Sequence, residues 1–241
     1  MLDQFKIGLI GYGHLGKELH KRLDRKGIQI ESRLGIDQET QKQFNGDLAE
    51  ESDLLLLTVP PSAMQEVLNQ IRGRVRESTR VLSFAAAYPQ RDGMARAMTD
   101  IEGFGGMLYG GDALTTEFMS HVSEFPTIHA EREEQIDDYT IGEACLPGVA
   151  AWQFDHDGRA WLDQYATFLS QEKGLDQRVT RAILESVDRQ GSWAKKVTEV
   201  ATGKGITAAM VSRLQEGERA PERIYQAGEQ RMKELIRELT K

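Results

Sequence analysis

Gly11-Tyr12-Gly13-His14-Leu15-Gly16 has the spacing that holds a dinucleotide pyrophosphate. It follows the apolar run Ile7-Gly8-Leu9-Ile10 and leads into the helical pattern Lys17 to Leu23. In such a strand, turn and helix the first glycine permits the tight turn. The second lets backbone approach the phosphates, and the third brings helix against strand. The helix then opens with unpaired N–H groups aimed at an anion. His14 is either a further phosphate contact or a filler of the helix's first turn. A second chemistry-bearing stretch is Ala201-Thr202-Gly203-Lys204-Gly205-Ile206-Thr207. A glycine-rich loop ending at a helix start offers backbone donors to a carboxylate, and Thr207 offers a hydroxyl to a nitrogen. The plain alternative is a capped turn between helices. Lys204 is either a general acid or anion clamp, as a lysine of lowered pKa in a partly buried loop can be, or a solvated loop residue.

These groups need a frame. The second strand reads Gly27-Ile28-Gln29-Ile30-Glu31-Ser32-Arg33, and its tip lies roughly 20 residues past the first glycine, where a dinucleotide fold tests the adenosine ribose. With Ser32 and Arg33 at the tip, a 2′-phosphate is admitted and paired, which favours NADP. A slip of one residue makes Glu31 the ribose acid, which favours NAD. Ser52 to Pro61 contains Leu54-Leu55-Leu56-Leu57, a run that suits a parallel strand buried on both faces, with Val59 and Pro60 at its carboxyl end. Ser62 is expected to cap a helix through about Arg72. Arg80 to Ala87 is a further strand ending in small residues, Ala85 among them, as where backbone passes close to a ligand. This alternation predicts a doubly wound parallel sheet. It breaks at the glycine-rich 103–111, and Phe125 to Ala130 reads as a last edge strand. From about Asp138 helical periodicity takes over, with Trp152, Trp161, Tyr165, Phe168 and Leu169, then Val179, Ile183, Val187, Trp193 and Val197 as core. The expected fold is α/β: a dinucleotide-binding Rossmann domain over 1–132, then an all-helical substrate and dimerisation domain over 133–241.

Composition narrows the partners. The 241 residues carry a formal net charge of −8 without a dense basic block, which argues against nucleic acid or an anionic membrane surface and for a small metabolite. Cys145 is the one cysteine, so no internal disulfide is possible, and a reducing cytoplasm fits. His121, His129, Asp155 and His156 have no metal-ligand spacing, no nucleophile elbow is present, and no apolar run is long enough to span a bilayer.

Across most of its length the chain resembles the pyrroline-5-carboxylate reductase family. That family's Gly-x-Gly-x-x-Ala/Gly turn is matched by Gly11, Gly13 and Gly16, and its Ser-Asn-Arg-like tip by Glu31-Ser32-Arg33. Its Ala-Val-Lys-Pro strand end resembles Thr58-Val59-Pro60-Pro61, and its Ser-x-Ala-Ala-Gly resembles Ser83-Phe84-Ala85-Ala86-Ala87. The family's Thr-Ser-Pro-Gly-Gly-Thr-Thr loop has its counterpart in Ala201 to Thr207. Two elements differ. Gly-Ser-Gly-Pro-Ala-Tyr is replaced by Pro147-Gly148-Val149-Ala150-Ala151-Trp152, and the Arg-Val-Met-Pro-Asn loop survives only as Arg96-Ala97-Met98-Thr99-Asp100. The resemblance implies a helical second domain like the C-terminal domain of 6-phosphogluconate dehydrogenase, pairing as a homodimer or higher homo-oligomer. It implies hydride transfer from NADPH, or NADH, to the C=N bond of a small cyclic imino acid. Thr207 would hydrogen-bond the ring nitrogen, Thr202 would take the family's serine position, and Gly205 and Ile206 would lend N–H groups to the carboxylate. Two alternatives stay open: a related imine or β-hydroxyacid reductase with Lys204 as the working group, and an NADP-binding sensor without turnover.

Overall fold

The computed structural model describes residues 2–32, 37–90, 93–101, 103–156, 159–190 and 205–239. The chain divides into two compact units. Met1–Met98 with Gly106–Glu133 form the first, and Thr99–Gly105 with Glu134–Lys241 form the second.

The first unit is built on a seven-stranded sheet. Its strands are β1 (Ile7–Ile10), β2 (Ile30–Glu31), β3 (Leu54–Leu57), β4 (Arg80–Ser83), β5 (Ala95–Thr99), β6 (Gly106–Tyr109) and β7 (Ile128–His129), in the order β2-β1-β3-β4-β5-β6-β7. β1 pairs in parallel with both β2 and β3, with Ile7 opposite Ile30 on one side and Leu54 on the other. β3 is fully buried, its four leucines all at 0% exposure, so burial on both faces overrides the modest strand preference of leucine. Helices α1 (His14–Arg25), α2 (Gln38–Glu51), α3 (Pro61–Ile71) and α4 (Ala113–Val122) connect the strands. On α1 the buried residues Gly16, Leu19 and Leu23 recur at helical spacing and pack into the core with Leu9, Leu54, Leu56 and Phe118. Each such leucine contributes roughly 1.5–3 kcal/mol by leaving water.

Three local readings differ from expectation. Pro60, not Ser62, occupies the N-cap of α3 with Pro61 as its first helical residue, because a proline ring is already set to helical φ and the missing N–H would have no partner there. Residues 96–100 do not continue as a loop, since Ala95–Thr99 is a buried strand. Its apolar pattern is hidden by Arg96, which is 3% exposed and paired with Glu133 at 2.8 Å. Gly106–Tyr109 is likewise a strand, and its glycine lets α4 approach: a Cβ on Gly106 would lie 2.8 Å from Met119 Cε.

The second unit is helical among the described residues: α5 (Glu134–Tyr139), a π-helical turn (Thr140–Ala144), α6 (Leu146–His156), α7 (Arg159–Glu172), α8 (Gln177–Gln190), α9 (Ile206–Gln215) and α10 (Pro221–Leu239). Trp161 and Tyr165 stack on α7 at 4.9 Å, and Phe168 meets Tyr225 of α10 edge-on at 5.7 Å. The polar ends of the outer members are satisfied: Trp161 Nε1 donates to the Arg219 carbonyl at 2.6 Å and the Tyr225 hydroxyl to Asp138 Oδ1 at 2.6 Å. Val179, Ile183 and Val187 are buried on α8, while Trp193 and Val197 lie outside the described residues.

Candidate functional site

From β1 the chain adds β2 on one side, then returns to add β3 on the other, so the connections diverge at the carboxyl ends of β1 and β3. Ligands of doubly wound sheets lie at such a switch point. The glycine turn sits there. Gly11 has φ +100°, and a Cβ on it would come within 2.7 Å of Val59 N, so both the turn and the approach to β3 require glycine. Thr58 Oγ1 donates to the Gly11 carbonyl, tying the turn to the end of β3. A Cβ on Gly16 would collide with the Gly11 carbonyl and with Thr58 Oγ1, which makes this the close helix contact. Gly13 is different: nothing lies within 4 Å of its Cβ position. It is the N-cap of α1, no side chain caps the helix there, and the first N–H groups are left to solvent or to an anion. His14 is exposed, and Leu15 and Tyr12 pack partly against the core. The Tyr12 ring meets His20 edge-on at 5.6 Å.

A cleft of about 220 Å³ opens beside the turn, lined by Gly11, Tyr12 and Ser32, by Val59 from the end of β3, and by residues of α2 and α3. Ser32 follows β2 and faces this cleft, whereas Glu31, one residue earlier, lines a separate hollow with Gln29, Glu51 and Ser52. Successive strand residues point to opposite faces, so the two cannot share a role. Arg33 lies outside the described residues. Pro60 is exposed at the head of α3, and Ala85 is buried at 3%, its N–H donating to Ser83 Oγ at 3.3 Å. Two residues on, Ala87 takes φ +61°, a left-handed conformation that favours glycine. These parts fit a dinucleotide. The tight turn, the open Gly13 and the uncapped helix would hold its pyrophosphate, and Ser32 would stand at its ribose. Asn45, buried in the cleft wall at 3% exposure, escapes sequence reading, because only tertiary packing shows that this face of α2 lines the cleft.

In the second unit Gly205 is the N-cap of α9 and Ile206 its first residue, both preceding Thr207. Thr207 is 5% exposed and lies beside the buried Cys145. Burial pushes the Cys145 thiol up to about 11, against a smaller opposing pull from the Thr207 donors, so this cysteine is an inert core group. Thr202 and Lys204 lie outside the described residues.

The same unit holds a buried acidic pair that sequence reasoning missed. Asp100 is 0% exposed and accepts N–H bonds from Gly103 at 2.9 Å, Phe104 at 3.3 Å and Gly105 at 2.8 Å. Glu143, on the π-helical turn, is also 0% exposed, and Thr180 Oγ1 donates to its Oε1 over a long 3.5 Å. Its Oε2 has no hydrogen-bond partner among the described residues. Burial raises Glu143 to about 8, helped by the charges of Asp100 and Asp176. Tyr139, fully buried beside both acids, is driven well above the ordinary phenol value, chiefly by burial. The signals were present in the sequence: an Asp followed by a glycine-rich turn, and a lone acid within Ile141-Gly142-Glu143-Ala144-Cys145-Leu146. Among the described residues no group of three or more His, Cys, Asp or Glu could hold a metal ion, and no helix is long and apolar enough to cross a membrane.

Residues 6–87, which contain the glycine turn, the β2 tip and the end of β3, match the family described as NADP oxidoreductase, coenzyme F420-dependent. Over this stretch the chain is similar to that family. Over 105 residues it is 28% identical to the pyrroline-5-carboxylate reductase of Methanosarcina acetivorans, a match covering 36% of this chain and 38% of that protein's length. The structure of a Plasmodium falciparum pyrroline carboxylate reductase with NADP bound is similar at a TM-score of 0.56 and 14% identity, covering 97% of this chain and 98% of that one. A pyrroline-5-carboxylate reductase from Coxiella burnetii is similar at 0.53 and 16% identity, covering 98% and 99%. At such identities the two structures show the fold: a Rossmann sheet followed by a helical part. The chain is thus similar to pyrroline-5-carboxylate reductases over part of its sequence and in its fold.

Proposed function

We propose that the protein is an NADPH-dependent reductase of small cyclic imino acids, similar to pyrroline-5-carboxylate reductase. The observation that carries the reading is the glycine turn at the switch point, closed against Thr58 and Val59 and open at Gly13, in a chain whose relatives bear that name. Bound nicotinamide would supply the hydride, and the protein would supply position and charge. Gly11, Gly13 and Gly16, with Tyr12, His14 and Leu15 between them, would seat the pyrophosphate on α1. Val59, Pro60 and Ala85 would border the dinucleotide at the strand ends. The placement of Ser32 in the cleft, with Glu31 turned elsewhere, supports NADP over NAD. Gly205 and Ile206 at the start of α9 would hold the substrate carboxylate. Thr207 would donate its hydroxyl to the ring nitrogen. Thr202 and Lys204 would complete that loop. The domains are taken as 1–132 and 133–241, with the helical one pairing two or more copies in the cytoplasm. Light scattering tests the assembly.

The deciding experiment follows NADPH and NADH oxidation with pyrroline-5-carboxylate and a panel of five- and six-membered cyclic imines, with cofactor binding measured in parallel. Turnover supports the reductase. Binding without turnover supports a cofactor-binding sensor, a reading favoured by the burial of Thr207 against Cys145. Oxidation of cofactor by a ketone substrate instead, abolished in Lys204→Ala but not Thr207→Ala, supports a β-hydroxyacid reductase.

A further inference from the structure

The loop Thr99–Gly105 belongs to the second unit and packs there over the buried acids. It seats through Gly105, where a Cβ would come within 2.7 Å of the Tyr139 hydroxyl and 2.6 Å of Val179 Cγ1, so only glycine closes that contact. The two acids it brings together are unequally provided for. Asp100 has three N–H donors from its own loop. Glu143 Oε2, and the fully buried Tyr139 hydroxyl beside that carboxyl group, have no hydrogen-bond partner among the described residues. The groups that face Glu143 are Asp100 from the loop, Tyr139 from α5, and Asp176 and Thr180 at the head of α8. Cys145, which leads from the π-helical turn into α6, is a neutral thiol, and α10 meets the turn through Gly228 on Ile141. The cation nearest to this set in the chain, Arg178, is held by Asp176 at 2.6 Å.

Two carboxylates whose charges act on each other in a dry site cannot both stay ionised without cost. Asp100, with its three donors, is the one built to carry charge. Glu143, with an oxygen left unsatisfied, is the one built to carry a proton. We propose that this proton latches the loop Thr99–Gly105: while Glu143 is neutral the loop closes over it, and loss of the proton to solvent opens the loop and hydrates the carboxylate without unfolding the helices. The sign follows from the titration of Glu143, which burial first, and the charges of Asp100 and Asp176 second, raise to about 8 in the closed state. In the open state it returns toward 4.5, so closure is strongest below that value and weakens as pH rises toward about 8. A π-helical turn, the local irregularity that carries Glu143, recurs where helices hold functional groups.

Amide hydrogen exchange of the full chain tests the latch. It is read at Gly103, Phe104 and Gly105 on the loop and at Leu162 and Tyr165 inside α7, each rate divided by its intrinsic value at that pH. Between about pH 5.5 and 7.5 the loop amides should lose about 100-fold in protection, about 10-fold per pH unit, and the loss should level off above about pH 8. Low concentrations of urea should leave loop exchange unchanged, the mark of a local opening, while exchange inside α7 quickens. In Glu143→Gln the loop protection should stay within about 3-fold over the same pH range, since no proton is left to lose. Glu143→Met, of similar reach, should behave alike and covers poor folding of the glutamine variant. Loop protection that is flat with pH in the wild type, or that falls as steeply in both variants, overturns the proposal. So does loop exchange that follows α7 in its urea dependence, which would leave Glu143 acting on global unfolding alone.

Discussion

Replacing Glu143 by glutamine should make the helical unit more stable at neutral pH and remove a slope from its pH dependence. Glu143 titrates at about 8 in the folded protein, against 4.5 for an ordinary glutamic acid, mainly because it is buried and secondarily because Asp100 and Asp176 lie near. Its folded pKa is raised, so the stability it contributes is fully present below about pH 4.5 and is lost as pH rises through about 8. Between those limits the folded state holds one proton that the unfolded state has released, and stability falls by about 1.4 kcal/mol per pH unit. From pH 5 to pH 7.5 the wild type should therefore lose about 3 kcal/mol through this residue alone. Glutamine keeps the shape and cannot ionise, so the difference between variant and wild type should be near zero at pH 5 and about 3 kcal/mol in favour of Glu143→Gln at pH 7.5. Tryptophan fluorescence during denaturant unfolding reads the correct unit, since all three tryptophans, Trp152, Trp161 and Trp193, belong to the second unit. A difference between the two proteins that stays flat from pH 5 to pH 8 would refute the reasoning.

Three further outcomes are expected. Gly13→Ala should leave the melting temperature within about 2 °C, because its Cβ position is open, yet weaken NADPH binding about 10-fold; Gly16→Ala should lower both, because its methyl strikes the Gly11 carbonyl. Asp100→Ala should cost roughly 3–5 kcal/mol in denaturant unfolding, since three main-chain N–H groups lose their acceptor at a buried site. Ala87→Gly should change stability by less than about 0.5 kcal/mol, because relief of the left-handed φ of +61° offsets a lost buried methyl; the same change at Ala97 on β5 should cost about 1.5 kcal/mol. Equal losses at the two alanines would show that Ala87 stores no backbone strain.

What could be read from the residues was what depends on near neighbours. The turn from Gly11 to Gly16 is defined by contacts within a few residues and by one strand end, so its spacing suffices. The four leucines of β3 likewise declare a buried strand by themselves. Arg96 defeated the same logic on β5, because the carboxylate that makes its burial tolerable, Glu133, is 37 residues away. Gly106 reads as a breaker, though its lack of a side chain is what admits α4. The cleft wall was invisible for a related reason: the link from Asn45 to Gln70 joins two helices 25 residues apart, and no local pattern announces it. Glu143 lies on a π-helical turn, where an extra residue shifts the register that helical periodicity assumes.

Thr99–Gly105 leaves the sheet between β5 and β6 to join the helices, and the chain returns to the sheet before departing again at Glu134. The two units are therefore not beads on one string. A cut at the 133/134 bond yields a C-terminal piece lacking Asp100 and its loop, and an N-terminal piece carrying that loop without Tyr139 and Val179, which pack against Gly105. Neither unit can be exchanged for a foreign one at a single junction, as a true module could. Any recombination that kept both units intact would have to respect three crossings at once, so the sheet and the helices of this chain are inherited as one object.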